Sequence, residues 1–562
     1  MDDGRAVQWT EIDGVAVVHG RDTGPLRASL VFRIGKVDEY LHANGITHLA
    51  EHLALFTLGQ APHYQNGSVR SAVTSFDTMG DAGQVIGFLA GICSALSSLP
   101  TDRIQSEVRV LEVEAGQRGR GPVDSLFTWR YGASDAGLWG FEEYVTHHVA
   151  AESLQAWASH VFTRGNCVLV LSGPPPEGLR LLLPQGGRIP PPALQPVLPQ
   201  LPAQFQIGRP EICGLATVPR GVAAAAYAFL LRRRLVERLR IDLAVSYSPQ
   251  VDYDPHDGDV AHVLVRADIH PDHVAAAAAG FHAVVCELAD TGPTPQEVAE
   301  YVAESRQMRS MPETVGLAMY EAMSLLLGGR TTPYDSFWDE LDALTPEQVR
   351  APAVEVRDSM LYGVPNETSL PVDAVAVAPT SSLEEPVTGR RLTSLDTAAQ
   401  GGSLVISPAG MTQTWPDGTS TTVRFSTCRA TLAWPDGRRV LIGPDATAVT
   451  LEPTMWDDGR PVVGTIDRAT AAVLVPMPER PVDDVPQPTK PSPAAGAPGR
   501  RQGHIVLLGA LLVILLGLVA FLFFAAGPND SSSVPGTLLR FLGLGAFLAL
   551  FVSRGRKPKR RR

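Results

Sequence analysis

Cysteine is scarce in this sequence and forms no pattern. The 562 residues hold five cysteines (Cys93, Cys167, Cys213, Cys286 and Cys428), scattered, odd in number and without a Cys-x-x-Cys pair. They read as reduced, mostly buried side chains of a cytosolic protein rather than a disulfide framework. No Walker loop and no Gly-x-Gly-x-x-Gly occurs, so nucleotide use is not indicated. The serines and cysteines form no recognisable nucleophile signature. The opening residues, Met1-Asp2-Asp3-Gly4, are acidic and lack an apolar core, so no secretory signal peptide is expected. Bulk positive charge is missing too. The formal net charge is -12, and the last ten residues carry seven Lys and Arg, so the rest sums to -19. Such a surface gives no electrostatic reason to bind nucleic acid.

What is present is concentrated at His48-Leu49-Ala50-Glu51-His52. Two imidazoles four residues apart share one face of a helix. Neutral imidazole is a good zinc ligand, and two of them one turn apart can hold one ion. Glu51 stands beside the pair, placed to take a proton from a water that a metal activates. The order His-x-x-Glu-His is the inverted zincin motif. A zinc hydrolase also needs a third protein ligand. A carboxylate on a later helix would serve. Glu114 is the choice, with Glu112 beside it and a solvated helix face as the bland alternative.

Along the chain, strands are expected at 15–18 and 30–34, and a helix with apolar positions Ile46, Leu49, Leu53 and Phe56 carries the motif. Residues 67–76 have strand character. Amphipathic helices are expected at 85–99, from Asp102 to about 116, and at 146–162, then a buried strand at 166–173. A Pro-rich connection, 174–202, reads as an ordered or semi-rigid linker. The segment 212–364 echoes this order, with helices at 222–239, 273–290, 294–308 and 345–354 and a strand at 261–268. We read an internal duplication of topology. From 403 to 477 the composition changes. Trp-Pro-Asp-Gly at 415–418 and 434–437, and Trp-Asp-Asp-Gly at 456–459, are hairpin signals. They mark a small all-β module or, equally, a decoration of the second α/β segment. Residues 478–501 form a flexible Pro/Ala/Gly-rich linker. Residues 505–526 carry no charge over 22 positions, long enough to cross a bilayer, and 534–552 offer a second, weaker span. Basic residues flank both, so a membrane hairpin with its large N-terminal part inside the cell is expected.

The stretch Gly45-Ile46-Thr47-His48-Leu49-Ala50-Glu51-His52-Leu53 resembles the hallmark of the M16 metallopeptidases, the pitrilysin, insulysin and mitochondrial processing peptidase family. Gly35 and Glu39 on the preceding segment fit that family as well. Its third ligand is a Glu seven residues after another Glu on a downstream helix, the spacing seen here between Glu107 and Glu114. The resemblance thus implies Glu114 as third ligand and Glu107 as its supporting residue. The interval from His52 to Glu114 is shorter than is usual in the family, as a trimmed loop around 77–84 would make it. Arg240-Ile241-Asp242-Leu243-Ala244-Val245-Ser246-Tyr247 resembles the family's Arg and Tyr seven apart, which face the zinc and hold the substrate carbonyl or transition state. A guanidinium and a phenol suit a developing oxyanion. Read without the family, Arg240 ends a helix and Tyr247 is core. The resemblance spans about residues 6–353.

The expectation is therefore an α+β chain. It has two duplicated M16-type α/β halves at 1–203 and 204–400, a small all-β module at 401–477, a linker at 478–504, and a transmembrane hairpin with a basic tail at 505–562. The expected function is a membrane-anchored zinc peptidase, acting in the cytoplasm on short or unfolded peptides. His48, His52 and Glu114 bind Zn2+, Glu51 is the base, and Glu107, Arg240 and Tyr247 assist. Family members enclose substrate between two such units, so a homodimer or a partner M16-like chain is implied. The alternatives are a non-catalytic peptide-binding or scaffold partner and a dedicated peptide-maturation protease beside an exporter.

Overall fold

Apolar runs without alternation, such as Cys167-Val168-Leu169-Val170-Leu171, form strands only where both faces of a sheet are covered. Both sheets of the α/β region meet that condition. The computed structural model describes residues 7–488, apart from 60, 119–120, 310–313, 332, 372–374 and 397–401. The expected spans at 505–526 and 534–552 lie outside the described residues.

The first half comprises β1 (Gln8–Ile12), β2 (Val15–His19), β3 (Leu26–Phe32), α1 (Ile46–Phe56), β4 (Tyr64–Val69), β5 (Thr74–Gly80), α2 (Ala82–Ser97), α3 (Ile104–Arg118), α4 (Pro122–Tyr131), α5 (Ala151–Val161) and β6 (Cys167–Leu171). The second comprises β7 (Ala203–Ile207), β8 (Glu211–Pro219), α6 (Val222–Leu235), β9 (Gln250–Pro255), β10 (Val260–Asp268), α7 (Val274–Thr291), α8 (Pro295–Arg309), α9 (Val315–Gly328), α10 (Tyr334–Asp342), α11 (Pro346–Ser359), β11 (Leu361–Pro365) and β12 (Ala376–Val377). The sheets run β1-β2-β6-β3-β5-β4 and β12-β7-β11-β8-β10-β9. In each, a parallel pair (β2 with β6, β7 with β11) is followed by antiparallel neighbours, and the edge strand β12 adds a second parallel pairing to β7. The last five strands of the two sheets correspond one to one, which is the duplication expected from the order of elements.

Each sheet has a private core on one face. In the first half Leu30, Phe32 and Phe76 pack under Leu49, Leu53 and Leu89. In the second Ala216, Val263 and Tyr362 pack under Leu231, Phe281 and Val356. Among the described residues α7, with its lead-in, is the one helix long and apolar enough to cross a bilayer; its Ala277, Phe281, Val284 and Leu288 belong to this second core. The opposite faces of both sheets share a third core, where Val31 and Val170 join Phe205 and Leu215 through helices exchanged between the halves. Arg130 of α4 donates to the Leu215 and Ser359 carbonyls and the Thr217 hydroxyl of the second half. In return, Glu321 of α9 accepts from Trp9 Nε1 of β1 at 2.7 Å.

The last described region corrects the expectation of a small all-β module. It contains β13 (Arg390–Thr393), β14 (Ser403–Ser407), β15 (Gly410–Thr414), β16 (Ser420–Arg424), β17 (Ala430–Ala433), β18 (Arg439–Ile442), β19 (Ala448–Leu451), α12 (Gly459–Ala469) and β20 (Leu474–Pro476). The first two Asp-Gly turns join hairpins, β15 to β16 and β17 to β18. The third does not: Asp458 adopts a left-handed φ of 57° and starts α12, whose Val462 and Ile466 fill the module's core. A helix was not legible there because Trp-Asp-Asp-Gly repeats the hairpin signature. The region is also no decoration of the second half. An apolar cluster joins its Leu432, Ile442 and Val475 to Leu41, Leu138 and Tyr144 of the first half.

Candidate metal centre

The site is built on α1. Gly45 precedes the helix with φ 95°, a left-handed conformation that glycine adopts without strain. A Cβ there would come within 2.6 Å of the Glu143 Cβ. The unpaired N–H groups of the first turn are capped from outside: the Glu39 carboxylate accepts from Gly45 N at 2.6 Å and Thr47 N at 2.9 Å. Burial pushes Glu39 up to about 6, against the opposing pull of Lys36. The 33–45 segment that delivers Glu39 is held by buried Arg33, paired with Asp38 and donating to the Ile189 and Ala72 carbonyls.

On a half-buried edge of α1, His48 and His52 stand one turn apart with ring centroids 4.8 Å from each other. Both turn Nε2 towards one oxygen of Glu114 on α3, at 3.7 Å from His48 and 3.5 Å from His52. Donor atoms of His48, His52 and Glu114 all lie within 4.8 Å of one another. Tetrahedral zinc with bonds of about 2.0–2.1 Å separates its ligands by roughly 3.3 Å. The two edges from Glu114 to the imidazoles are within a few tenths of an ångström of that value, so the residues present fit the ion. Glu112, the neighbouring candidate, is exposed and outside the trio. β5 runs into α2 through the single residue Asp81, whose side chain caps the helix.

The other ring nitrogens also face carboxylates, His48 within hydrogen-bond reach and His52 beyond it. His48 Nδ1 meets Glu143 at 3.0 Å, and His52 Nδ1 faces Glu107 at 3.7 Å. A carboxylate on the far nitrogen fixes the tautomer that leaves Nε2 for a metal. Glu107 was predicted; Glu143 was not. It sits on a loop after α4 at no motif spacing, and Lys36 Nζ lies 3.7 Å from its other oxygen. Burial would lower His48, but the Glu143 hydrogen bond, with Glu51 and Glu114 behind it, raises it instead. His52 is lowered, by burial and by the nearby His48.

Glu51 points from α1 towards β4. Its carboxylate occupies the space a side chain at Gly67 would need, so residue 67 must lack one. Burial raises Glu51 to about 7; His48 opposes this while Glu114 and Glu143 add to it. These groups line a cavity of about 360 Å³ that also takes in Lys36, Asn66 and Trp139. Carboxylates outnumber cations in it, which suits a bound cation. Neither Arg240 nor Tyr247 lines this cavity. Arg240 lies in a π-helical stretch, Val236–Asp242, that continues α6. Its guanidinium stacks 5.1 Å over the Tyr247 ring, and Tyr247 is 74% exposed rather than core.

Two sheets of one topology that exchange helices define the class: the fold is that of the M16 peptidases. The inactive domain of an M16 peptidase from Pseudomonas fluorescens is 16% identical and aligns over 65% of this chain and 100% of its own, with a TM-score of 0.52. A protease from Helicobacter pylori is 17% identical, over 64% and 99%, with 0.54. The first half of the periplasmic protease PqqL from Escherichia coli is 12% identical, over 66% and 95%, with 0.51. No family model and no curated protein matches the sequence.

Proposed function

We propose that the chain is a zinc metallopeptidase that hydrolyses peptide bonds in short or unfolded peptides. The observation that carries this is the convergence of His48, His52 and Glu114, with Glu51 beside them in the same cavity. Zinc held there would supply a Lewis acid that acidifies water and polarises the scissile carbonyl. The chain's own groups divide the remaining work. Glu143 and Glu107 hold the two imidazoles in the ligating tautomer. Glu51 accepts the proton of the attacking water and returns it to the leaving amine. β4 is the edge strand of its sheet and lines the cavity at Asn66, Gly67, Ser68 and Val69. An extended peptide can add to that edge by main-chain hydrogen bonds, which places a backbone carbonyl, not a particular side chain, beside Glu51. A crevice of about 750 Å³ between the halves shares Val69 and Trp139 with the cavity and gives unfolded substrate room.

Arg240 and Tyr247 enter this reading through a second unit. They are exposed, beside Ile241 at 68% exposure. The chain matches 95% of one half of PqqL. Both observations support a homodimer or a partner M16-like chain that brings an Arg–Tyr pair to each site. Anchorage by the apolar segments 505–526 and 534–552, with the rest in the cytoplasm, rests on the sequence alone. Added protease failing to reach residues 1–500 in intact cells would support it.

A non-catalytic role is the competing reading, since one neighbour is an inactive domain. The presence of His48, Glu51 and His52 together favours catalysis. The test is cleavage of a quenched peptide library by zinc-loaded protein beside Glu51→Gln. Cleavage that Glu51→Gln reduces by 10²-fold or more supports the peptidase. Full activity in the variant removes Glu51 from the mechanism, and zinc uptake without cleavage at any chain concentration favours the scaffold.

A further inference from the structure

The segment between α4 and α5 has two working faces. One side presents Trp139 and Glu143 to the metal cavity. The other presents Leu138 and Tyr144, with Leu41 of the 33–45 segment, to Leu432, Ile442 and Val475 of the C-terminal module. The strands of that module alternate accordingly: Leu441 packs inward and Ile442 outward against the segment. The segment is pinned at both ends. Ala133 N donates to Pro444 O at 2.9 Å. Buried Asn44, next to the Gly45 that starts α1, donates to Glu142 O at 2.8 Å and accepts from Val145 N at 3.2 Å. Glu143 is thus clamped between α1 and the module, and it in turn holds His48 Nδ1.

We propose that the C-terminal module is the outer wall of the metal centre, with Leu432 and Ile442 as positioning residues that act on His48 through Glu143. The module adds no ligand. It fixes the carboxylate that fixes the imidazole, so loosening it weakens metal binding without removing a donor. This rests on the metal reading given above.

The test is a double-mutant cycle on zinc affinity, measured for the full chain by competition with a chromophoric chelator, with the melting temperature followed in parallel. Glu143→Gln is expected to weaken zinc binding by about 10- to 100-fold, the usual effect of losing a carboxylate behind a ligating histidine. Leu432→Ala with Ile442→Ala is expected to weaken it by about 10-fold when Glu143 is present, and by less than about twofold in the Glu143→Gln background, because the two act through one group. An equal loss in both backgrounds, or unchanged affinity beside Glu143, overturns the proposal while leaving the metal reading intact. If the double substitution unfolds the chain, Val475→Ala closes the same cycle. A wild-type chain that takes up no zinc overturns the metal reading itself, and this proposal with it.

Discussion

The two halves share a sheet order but not a chemistry. In the first, β3 is joined to α1 by 13 residues, 33–45, that carry Lys36, Glu39 and the Gly45 turn; in the second, β8 meets α6 through Arg220 and Gly221 alone. α1 presents His48, Glu51 and His52 to a cavity, whereas α6, at the corresponding place, is an Ala-rich helix that buries Tyr227 and Leu231. Its extension instead exposes Arg240 beside Tyr247. Duplication therefore explains the scaffold, and the site arises where one copy departs from the other: the lengthened connection before α1, the carboxylates of α3, and the segment carrying Glu143.

The largest effect that sharpens this contrast is at the third ligand. Glu114→Gln should change zinc uptake from stoichiometric to undetectable by metal analysis, while Glu112→Gln, exposed and two positions away, should leave it intact. The reverse result would move the ligand and break the match with the ligating edge. The next effect concerns what joins the halves. Arg130→Ala strands three acceptors that the guanidinium satisfies across the shared core. Denaturant unfolding should show a loss of about 3 kcal/mol. A change below about 0.5 kcal/mol would mean the exchanged helices do not hold the halves together.

Gly67→Ala tests the space beside Glu51 without touching the ligands. The added methyl group must displace the Glu51 carboxylate. Peptide cleavage should fall by about 10²-fold at unchanged zinc content, the scale of an ångström of misplacement. Loss of zinc instead would show that Gly67 supports α1 as a whole. The smallest effect is at the helix cap. Glu39 has a folded pKa of about 6, above its ordinary 4.5. The folded chain therefore holds this proton more tightly than the unfolded one. The stabilisation is complete below pH 4.5 and is lost as the pH rises through 6, by about 2 kcal/mol in all. Glu39→Gln should lack that step; a variant with an unaltered pH profile would remove Glu39 from the account.

Much of this was legible in the sequence because it is local: helical spacing, apolar runs and the order of elements. The motif helix and the Glu107–Glu114 face follow from helical spacing, the strands at Val15 and Cys167 from continuous apolar runs, and the duplication from the repeated order of elements. What spacing cannot encode was missed. Glu143 lies 95 residues beyond His48 in a loop, and tertiary contacts at Asn44 and Gly45 bring them together. β1 and α4 lacked a clear pattern, α4 because its apolar side chains face another half rather than its own sheet. The third Asp-Gly carried a hairpin signature but opened a helix, since Ile466 had a core to fill.

The central claim is that His48, His52 and Glu114 hold one zinc ion with Glu143 behind His48. A crystal structure of the zinc-loaded chain, with anomalous scattering collected at the zinc edge, tests it most directly. The account predicts a single strong peak about 2.0–2.2 Å from both Nε2 atoms and from a Glu114 oxygen. No peak there, or an ion held by Glu143 or Glu107 in place of Glu114, would contradict it.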